Sequence, residues 1–278
     1  MHNVDFDIIT IVKGRKKQLR NQINSIMNST LKPRHHYVIF MNEKDIIDIP
    51  FGYKLSSYTI YDNNNLPLAK ARNEGLKKTL SDKVVFLDVD CIVSPTLFEN
   101  MIRKKTSRNI LTAYPKYLNH VPENEEYSDL FTQAVDHPRR KSIPSSTQVP
   151  WKKFWSLVFM VEKDQMEAVG GFDENFRGYG AEDTDLAMSL ERGGYELNFV
   201  EDYILHQYHT KYTPPLQHIE SIVENANYYY RKWNKWPMEK WLHAFAENKF
   251  IKWTENKLKL ERLPNQLEIK QCFSTEPY

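Results

Sequence analysis

Short apolar segments alternate with amphipathic segments along the first hundred residues. Four segments rich in β-branched and aromatic residues predict strands: residues 7–13, 37–41, 55–61 and 84–87. Between them, residues 16–28 and 66–80 carry apolar side chains at helical spacing, and Pro67 stands in a first turn, where proline is tolerated. Because strands alternate with helices, the sequence predicts an α/β domain with a parallel, doubly wound sheet.

The fourth predicted strand ends at two aspartates. The apolar run stops at Asp88-Val89-Asp90, so two carboxylates stand where a buried strand meets a loop. Open α/β sheets bind ligands outside the carboxyl ends of their strands. Carboxylates spaced i and i+2 there can hold Mg²⁺ or Mn²⁺ and leave coordination positions for phosphate oxygens. A strand-end turn with two solvated aspartates has the same pattern, so the motif alone leaves both interpretations open.

Glycines are concentrated in one region of the second half. Six of the nine glycines lie between positions 170 and 194, which indicates unusual backbone dihedrals or close backbone approach. Within this region, GYGAEDTD (residues 178–185) precedes a predicted helix over 186–192, which Gly193-Gly194 ends. Acids in a first helical turn stabilise the helix by themselves. Three of them beside a glycine hinge, Glu182, Asp183 and Asp185, point further, to a functional site.

The composition gives no reason to expect a nucleic-acid partner. The formal net charge is +2, with 41% hydrophobic and 27% charged residues. Two cysteines, Cys91 and Cys272, are too few for a secreted disulfide framework. The sequence has no signal-peptide pattern and no apolar run near the about 20 residues that a membrane span needs. We therefore expect a cytoplasmic protein and leave contact with the inner face of the membrane open.

The ordered set of motifs resembles glycosyltransferases of the GT-A fold, family 2 type, over about residues 7–209. LPLAKARNEGL resembles the helix before the metal strand, and FLDVDCIVSP resembles the D-x-D segment of these enzymes. The carboxyl-terminal half of β-1,4-galactosyltransferases and polypeptide N-acetylgalactosaminyltransferases is similar to the segment from FWSLVFMVEKD to GYGAEDTDLAMSLERGGYEL. ILHQYH resembles the segment that carries the late histidine of these enzymes, which completes metal coordination. The resemblance implies a Rossmann-like sheet that binds a nucleotide-sugar and is flanked by helices.

The resemblance also implies roles for the acids and histidines. Asp90 is expected to bind Mn²⁺ (or Mg²⁺) directly, while Asp88 contacts the ribose or a metal-bound water and is kept among the candidate ligands. His206 is the first choice for a further ligand and His209 the second, since neutral imidazole suits Mn²⁺. Asp183 is the expected base of an inverting displacement, and Glu182 is expected to bind donor or acceptor hydroxyls.

The nucleotide is expected at the ends of the first strands. The resemblance places the donor, a UDP-linked hexose or N-acetylhexosamine, against nine residues besides Asp88 and Asp90. They are Thr10, Val12, Arg15, Asn42, Lys70, Arg72, Val89, Tyr179 and Gly180. A GDP or dTDP donor and a retaining mechanism remain open. The acceptor remains open among a cell-surface glycan intermediate, a lipid-linked sugar and a protein side chain.

We divide the chain into a GT-A domain over residues 1–210 and a helical extension over 211–278. The first comprises a nucleotide-binding half (1–100), a mobile loop without regular structure (115–150) and an acceptor and catalytic half (151–210). In the extension, nine Lys/Arg and four Glu lie between Arg231 and Arg262, interleaved with four tryptophans. This surface suits an anionic membrane or an acceptor. Packing of the tryptophans against the catalytic domain is the alternative.

Two other functions fit parts of the sequence. FLDVDCIVSP also resembles the start of haloacid-dehalogenase-type phosphatases, in which the first aspartate is the nucleophile and the second a general acid/base. A non-catalytic protein that binds nucleotide-sugars could keep the fold. Such a protein has no chemical need for Asp88, Asp90, Glu182, Asp183 and His206 together, which favours the transferase.

Overall fold

Four parallel strands form one half of the central sheet. The computed structural model describes residues 5–44, 47–62, 65–138 and 148–277. Within these residues the strands run in the order β3 (Leu55–Ile60), β2 (His35–Met41), β1 (Phe6–Val12), β4 (Lys83–Leu87). All three pairings are parallel. The predicted doubly wound sheet is confirmed, and the strand order reverses between β1 and β4.

The sheet continues beyond β4 with mixed strand directions. Its further strands are β5 (Cys91–Val93), β6 (Asn109–Tyr117), β7 (Val135–Asp136), β8 (Val158–Glu162) and β9 (Glu196–His206). β8 runs antiparallel to β4, β6 is antiparallel to β8, β9 is parallel to β6, and β5 is antiparallel to β9 at the far edge. The short strand β7 pairs with the end of β6.

Helices cover both faces of this sheet, because β4 is apolar on both sides. Val84 and Phe86 point into one core cluster and Val85 and Leu87 into another, as the period of two along a strand requires. In the first cluster the rings of Phe86 and Phe159 stack with centroids 4.7 Å apart. The flanking helices are α1 (Lys16–Met27), α2 (Leu68–Lys78), α3 (Leu97–Lys104), α5 (Lys163–Ala168) and α6 (Glu182–Arg192).

The segment 115–150 contains more regular structure than the sequence predicts. After β6 ends at Tyr117, α4 (Tyr127–Gln133) forms and is followed by β7. α4 buries Leu130 against Ile92 and Leu205, which explains why so polar a segment forms a helix here. Residues 139–147 of the predicted mobile loop lie outside the described residues.

The extension has a small core of its own. Its helices are α7 (Ile219–Trp233), α8 (Glu239–Glu247) and α9 (Gln266–Gln271). It also contains a hairpin of β11 (Ile251–Trp253) and β12 (Leu258–Leu260), which the sequence analysis did not predict, and a short pairing of β10 (Lys211–Tyr212) with β13 (Phe273–Ser274). Among the described residues, no helix combines the length and apolarity needed to cross a membrane.

The tryptophans of the extension pack inward. Trp233 donates a hydrogen bond from Nε1 to Asp185 of α6 (2.7 Å), and Trp241 lies 6.1 Å from the ring of Tyr179. Trp236 and Trp253 pack against each other within the extension, with ring centroids 5.5 Å apart. Two of the four therefore contact the catalytic half, as the packing alternative predicted.

Candidate active site

The candidate site lies where the strand order reverses. The loops after β1 and β4 leave the same edge of the sheet, because the two strands are parallel neighbours. At such a reversal the connections diverge to opposite faces and open a crevice outside the strand ends. Arg15 follows β1, and Asp88 and Asp90 follow β4. This arrangement brings the predicted D-x-D segment to the mouth of the crevice.

The far edge of the sheet brings the late histidines to Asp90. β5 begins at Cys91, directly after Asp90, and Cys91 is the register partner of His206, the last residue of β9. The next peptide reinforces this pairing, since Gln207 N–H donates to the Asp90 carbonyl at 2.8 Å. Antiparallel pairing therefore places Asp90 and His206 side by side, and the turn that follows returns His209 to them.

Asp90, His206 and His209 form a cluster suited to a metal ion. Each offers one ligand atom, and these atoms all lie within 4.8 Å of one another. Asp90 Oδ1 and His206 Nδ1 are buried and have no hydrogen-bond partner among the described residues. Unpaired buried polar atoms are costly, and two of them side by side offer ligand atoms to a cation. One carboxylate and two imidazoles are a donor set that Mn²⁺ accepts.

Both histidines are held in the form that binds metals. Burial, together with the charges of His209 and Arg15, lowers the pKa of His206 to about 3. Burial and Arg15 likewise lower the pKa of His209 to about 4. His209 Nδ1 donates to the Thr210 carbonyl at 3.0 Å, since a carbonyl can only accept. In the neutral ring Nε2 then keeps its lone pair, and it lies 3.9 Å from Asp90 Oδ2.

Arg15 already provides a positive charge in this cluster. Its guanidinium donates to Asp90 Oδ2. This ion pair joins the loop after β1 to the loop between β4 and β5. Burial lowers the pKa of Arg15, and the nearby Asp88 and Tyr179 oppose that shift. The side chain of Asp90 is only 3% exposed, so one internal cation neutralises a carboxylate that water barely reaches.

Asp88 lies apart from the three-residue cluster. Its carboxylate accepts from Arg72 at 3.4 Å, and its carbonyl accepts from Gln22 Nε2 at 2.7 Å. Burial raises the pKa of Asp88, an effect that Arg72 and Arg15 oppose. The structure therefore directs Asp88 towards the arginines, whereas the sequence analysis kept it among the candidate metal ligands.

Arg72 joins the D-x-D segment to the start of α6. It is 5% exposed and donates to Glu182 at 3.0 Å as well as to Asp88 and to Ser156 Oγ. Burial raises the pKa of Glu182, the charge of Asp183 raises it further, and Arg72 lowers it. The coulombic attraction of Asp88 and Glu182 raises the pKa of Arg72 against the effect of burial. One guanidinium thus holds carboxylates from two distant segments in one place.

Asp183 lies in the first turn of α6 beside Glu182, and it is partly exposed. Its Oδ1 accepts from the Thr184 N–H at 2.7 Å and from the Thr184 hydroxyl at 3.2 Å. Among the described residues Oδ2 has no such partner. One oxygen is therefore fixed, while the other can accept a hydrogen bond from a ligand.

Three of the residues predicted to bind nucleotide have buried side chains. Thr10, Val12 and Val89 are at most 6% exposed, and Thr10 Oγ1 is occupied by Gln22 and His36 at 2.9 Å each. Contact with a ligand at these positions would have to use the backbone. The sequence pattern could not show this, because a buried strand end and a ligand-binding strand end have the same apolar residues.

Asn42 and Lys70 lie outside the three-residue Asp90 cluster. Asn42 has a positive φ of 53°, accepts from Asp62 N–H at 2.7 Å and donates to the Asn65 carbonyl at 2.9 Å. Lys70 is exposed and lines a cavity of about 360 Å³ together with Asn65 and Arg177. Their predicted contact with nucleotide stays a prediction.

Several residues that shape the site have no motif in the sequence. Gln22 supports the carbonyl of Asp88, Ser156 contacts Arg72, and His36 and Tyr53 extend the buried hydrogen-bond chain behind Thr10. Asp185 does belong to the GYGAEDTD segment, but its bonds from Lys232 and Trp233, which tie α6 to α7, were not predicted. For Gln22, Ser156 and His36, a polar residue inside an apolar segment is the one signal in the sequence.

The chain matches the family model described as "Glycosyltransferase like family 2" over residues 43–212, which is more than half of its length. Validoxylamine A glucosyltransferase of Streptomyces hygroscopicus subsp. jinggangensis (strain 5008) is 24% identical over 160 residues, covering 49% of this chain and 38% of that protein. Minor teichoic acid biosynthesis protein GgaB of Bacillus subtilis (strain 168) is 30% identical over 106 residues, covering 36% and 12%. The chain thus spans well under half of these relatives.

One solved structure shares the fold at low sequence identity. The mannosyltransferase PcManGT of Pyrobaculum calidifontis, solved in complex with GDP-Man and Mn²⁺, superposes with a TM-score of 0.54 at 14% identity, covering 87% of this chain and 68% of that one. This similarity confirms the GT-A architecture that the sequence predicted.

Proposed function

The chain belongs to the glycosyltransferase-like family 2, and we propose that it transfers a hexose or N-acetylhexosamine from a UDP-sugar to a hydroxyl acceptor with inversion. The observation that carries the proposal is the Asp90 cluster, in which Asp90 Oδ1 and His206 Nδ1 are buried and have no partner within the described part of the chain. Asp183 follows Glu182 in α6, and Arg72 links Glu182 to Asp88 of the D-x-D segment.

Asp90, His206 and His209 are the residues that would hold Mn²⁺ or Mg²⁺. When bound, the metal would stabilise the negative charge that develops on the departing diphosphate. The solved relative PcManGT, which has the same fold, was determined with Mn²⁺ and a nucleotide-sugar. Arg15 would donate to the same diphosphate, because its guanidinium lies beside Asp90 at the mouth of the crevice.

Asp183 would act as the general base. An acceptor hydroxyl attacks the anomeric carbon on the face opposite the diphosphate, and its proton passes to Asp183 as the new C–O bond forms. The bond to the diphosphate oxygen breaks in the same displacement, so the configuration inverts. Glu182, fixed by Arg72 at 3.0 Å, would accept hydrogen bonds from sugar hydroxyls and position the ring.

The pairing of acids supports inversion over retention. One carboxylate oxygen of Asp183 accepts no hydrogen bond from the described residues, while Glu182 is held by its salt bridge to Arg72. The family assignment also favours a transferase over the phosphatase alternative. GDP and dTDP remain the alternatives for the nucleotide, and the solved relative with GDP-Man is a reason to test GDP directly.

The acceptor is proposed to belong to glycan biosynthesis. The similarity to a minor teichoic acid biosynthesis protein supports a cell-surface glycan intermediate or a lipid-linked sugar. The extension carries nine Lys/Arg against four Glu between Arg231 and Arg262. Lys252 and Lys259 lie side by side on the exposed face of the β11–β12 hairpin, where Lys259 also pairs with Glu261 at 3.1 Å. We therefore keep peripheral contact with an anionic membrane in the proposal. Failure of the intact protein to bind anionic vesicles at low salt would remove it.

Release of nucleotide from a panel of donors tests the proposal. UDP-glucose, UDP-galactose, UDP-N-acetylglucosamine and UDP-N-acetylgalactosamine, with GDP-mannose and a dTDP-hexose for comparison, are incubated with the protein in Mn²⁺ or in EDTA. We expect metal-dependent UDP release from at least one UDP-sugar. Metal-dependent binding without turnover of any donor, in the presence of mixed glycan acceptors, would support the non-catalytic alternative instead.

A further inference from the structure

The segment that carries Glu182 and Asp183 lies directly against the extension. A Cβ at Gly178 would lie 2.6 Å from Ser221 Cβ, and a Cβ at Gly180 would lie 2.9 Å from Met238 Sδ. Real Cβ atoms do not approach other atoms so closely, so both positions need glycine. Helix α7 and the turn before α8 therefore pack directly against the GYGAED segment.

The backbone of this segment adopts conformations that need support from outside. Gly178 and Gly180 have φ of 72° and 103°, and Ala181, the N-cap of α6, has a φ of 75°. A left-handed conformation is costly for alanine because of its Cβ. Such a conformation persists only where the surroundings impose it, and it occurs here one residue before Glu182.

Asn225 of α7 provides much of that support. Its Nδ2 donates to the carbonyls of Arg177 (2.9 Å) and Gly180 (2.8 Å), and its Oδ1 accepts from the Arg177 N–H (3.2 Å). The side chain is buried, and the residue is 3% exposed. One side chain thus bonds to both ends of the tract that turns the backbone into α6.

Neighbouring residues of α7 extend the contact. The Ser221 hydroxyl accepts from the Tyr179 N–H at 3.2 Å, and Lys232 donates to Asp173 and Asp185 at 2.9 Å each. The ring of Tyr179 stacks on His218 with centroids 4.7 Å apart. The glycine tract is therefore held along its whole length by residues 218–238, which lie beyond the part of the chain matched by the family model.

We propose that α7 is a built-in clamp for catalysis and that Asn225 is its central positioning residue. Asn225 fixes the left-handed tract so that Glu182 and Asp183 meet the donor and acceptor in the reactive geometry. Its kinetic consequences rest on the proposed transferase function, whereas the clamp itself is a property of the folded chain. The extension is then required for turnover even where it touches no substrate.

A matched pair of asparagines in α7 allows a controlled test. Asn227 has the same chemistry as Asn225, since its side chain donates to the Leu258 carbonyl (2.9 Å) and accepts from the Leu258 N–H (2.8 Å). It bonds the β11–β12 hairpin and not the catalytic segment. Asn225→Ala and Asn227→Ala each remove a paired side-chain to backbone contact from the same helix, so only their effects on the GYGAED segment should differ.

Hydrogen–deuterium exchange of residues 176–184 is the first readout, because it needs no substrate. We expect exchange at the Arg177 amide to rise about tenfold in Asn225→Ala and to stay at the wild-type rate in Asn227→Ala. Equal exchange in both variants would overturn the clamp. If Asn225→Ala does not fold, Ser221→Ala, which removes the partner of the Tyr179 N–H, provides the same comparison at the neighbouring amide.

Kinetics with the UDP-sugar that the wild type turns over is the second readout. We expect Asn225→Ala to lower kcat by about tenfold to a hundredfold while UDP affinity in Mn²⁺ changes less than about twofold. Asn227→Ala should keep wild-type kcat. Loss of UDP affinity parallel to kcat, or equal kcat losses in the two variants, would contradict a positioning role. Absence of UDP binding by the wild type would instead reject the proposed function and leave the exchange result standing.

Discussion

The guanidinium of Arg15 pairs with the carboxylate of Asp90 within the cluster that is suited to a metal ion. A cation from the protein thus lies where a divalent cation would share the same oxygens. The charge of Arg15 and that of a divalent cation on the same carboxylate would repel each other. Metal binding would therefore require the Arg15 guanidinium to move towards another anion. The diphosphate of a nucleotide is the anion that the proposed function supplies.

Replacing Arg15 with glutamine should strengthen metal binding and weaken nucleotide binding. Without the competing charge, Mn²⁺ affinity in the absence of nucleotide should rise about tenfold, the effect that one nearby charge has on a carboxylate equilibrium. UDP affinity in saturating Mn²⁺ should fall about tenfold, because a charge-assisted hydrogen bond is lost. Electron paramagnetic resonance of free Mn²⁺ measures the first and calorimetry the second.

Arg20→Gln is the control for that change. Arg20 lies in α1, the helix that begins directly after Arg15, and pairs with Asp48 on the surface, where both side chains are more than half exposed. Neither affinity should change in this variant. An Arg15→Gln protein with unaltered Mn²⁺ affinity would show that Arg15 does not compete for Asp90.

Asp183→Asn should abolish transfer and preserve nucleotide binding. Asparagine keeps the shape and the hydrogen bond from Thr184 but cannot accept the acceptor's proton. Asp164→Asn is the matched control, because Asp164 is also the second residue of a helix and accepts the following amide at 2.8 Å. Single-turnover product formation and UDP calorimetry together check the pair. Near-normal turnover by Asp183→Asn would remove Asp183 from the mechanism.

Arg72→Met should destabilise the fold by about 3 kcal/mol, because it leaves the buried Glu182 and the half-buried Asp88 without the guanidinium that they share. The pKa of Glu182, already raised by burial and by Asp183, should rise further. Adding Glu182→Gln removes one uncompensated charge, so the double variant should recover part of the lost free energy of unfolding. Urea denaturation measures all three proteins.

Lys77→Met, which breaks the exposed pair with Glu74, is the control and should change the free energy of unfolding by less than about 0.5 kcal/mol. A double variant no more stable than Arg72→Met would contradict the coupling.

The buried histidine His36 should make stability fall on acidification. Burial lowers its pKa from 6.5 to about 3 in the folded protein, so between these values the unfolded chain binds a proton that the folded chain does not. The contribution of neutral His36 to the free energy of unfolding is therefore complete above pH 6.5 and is lost as the pH falls towards 3. Between about pH 6 and 4.5 the wild type should lose about 1.4 kcal/mol per pH unit more than His36→Gln does. Urea titrations of both proteins at several pH values check this difference, and parallel curves would contradict it.

Local sequence patterns were sufficient for the parallel half of the sheet. β1, β2 and β4 each contain a short run rich in β-branched and aromatic residues, and the aspartates after β4 stand where such a strand must end. The acids of α6 were also apparent, because glycines precede them and Gly193 ends the helix. These features depend on residues within one or two turns of each other, which is the range over which sequence patterns carry information.

Long-range pairing determines what the sequence could not show. Asp90 meets His206 only because β5 pairs with the end of β9, and Asn225 meets Gly180 only because α7 packs across α6. The β11–β12 hairpin has three-residue strands with a lysine at the centre of each, too short a pattern to distinguish from a loop. The burial of Thr10 follows from its bonds to Gln22 and His36, which belong to two other elements.

The metal-dependent nucleotide site at Asp90 is tested by calorimetric titration of UDP into the protein, with and without Mn²⁺ and repeated with Asp90→Ala. We expect binding that needs both the metal and the Asp90 carboxylate, since Asp90 Oδ1 is buried beside His206 and has no partner among the described residues. UDP binding that is equally tight in EDTA and in Asp90→Ala would contradict a metal-dependent nucleotide-sugar site at this cluster.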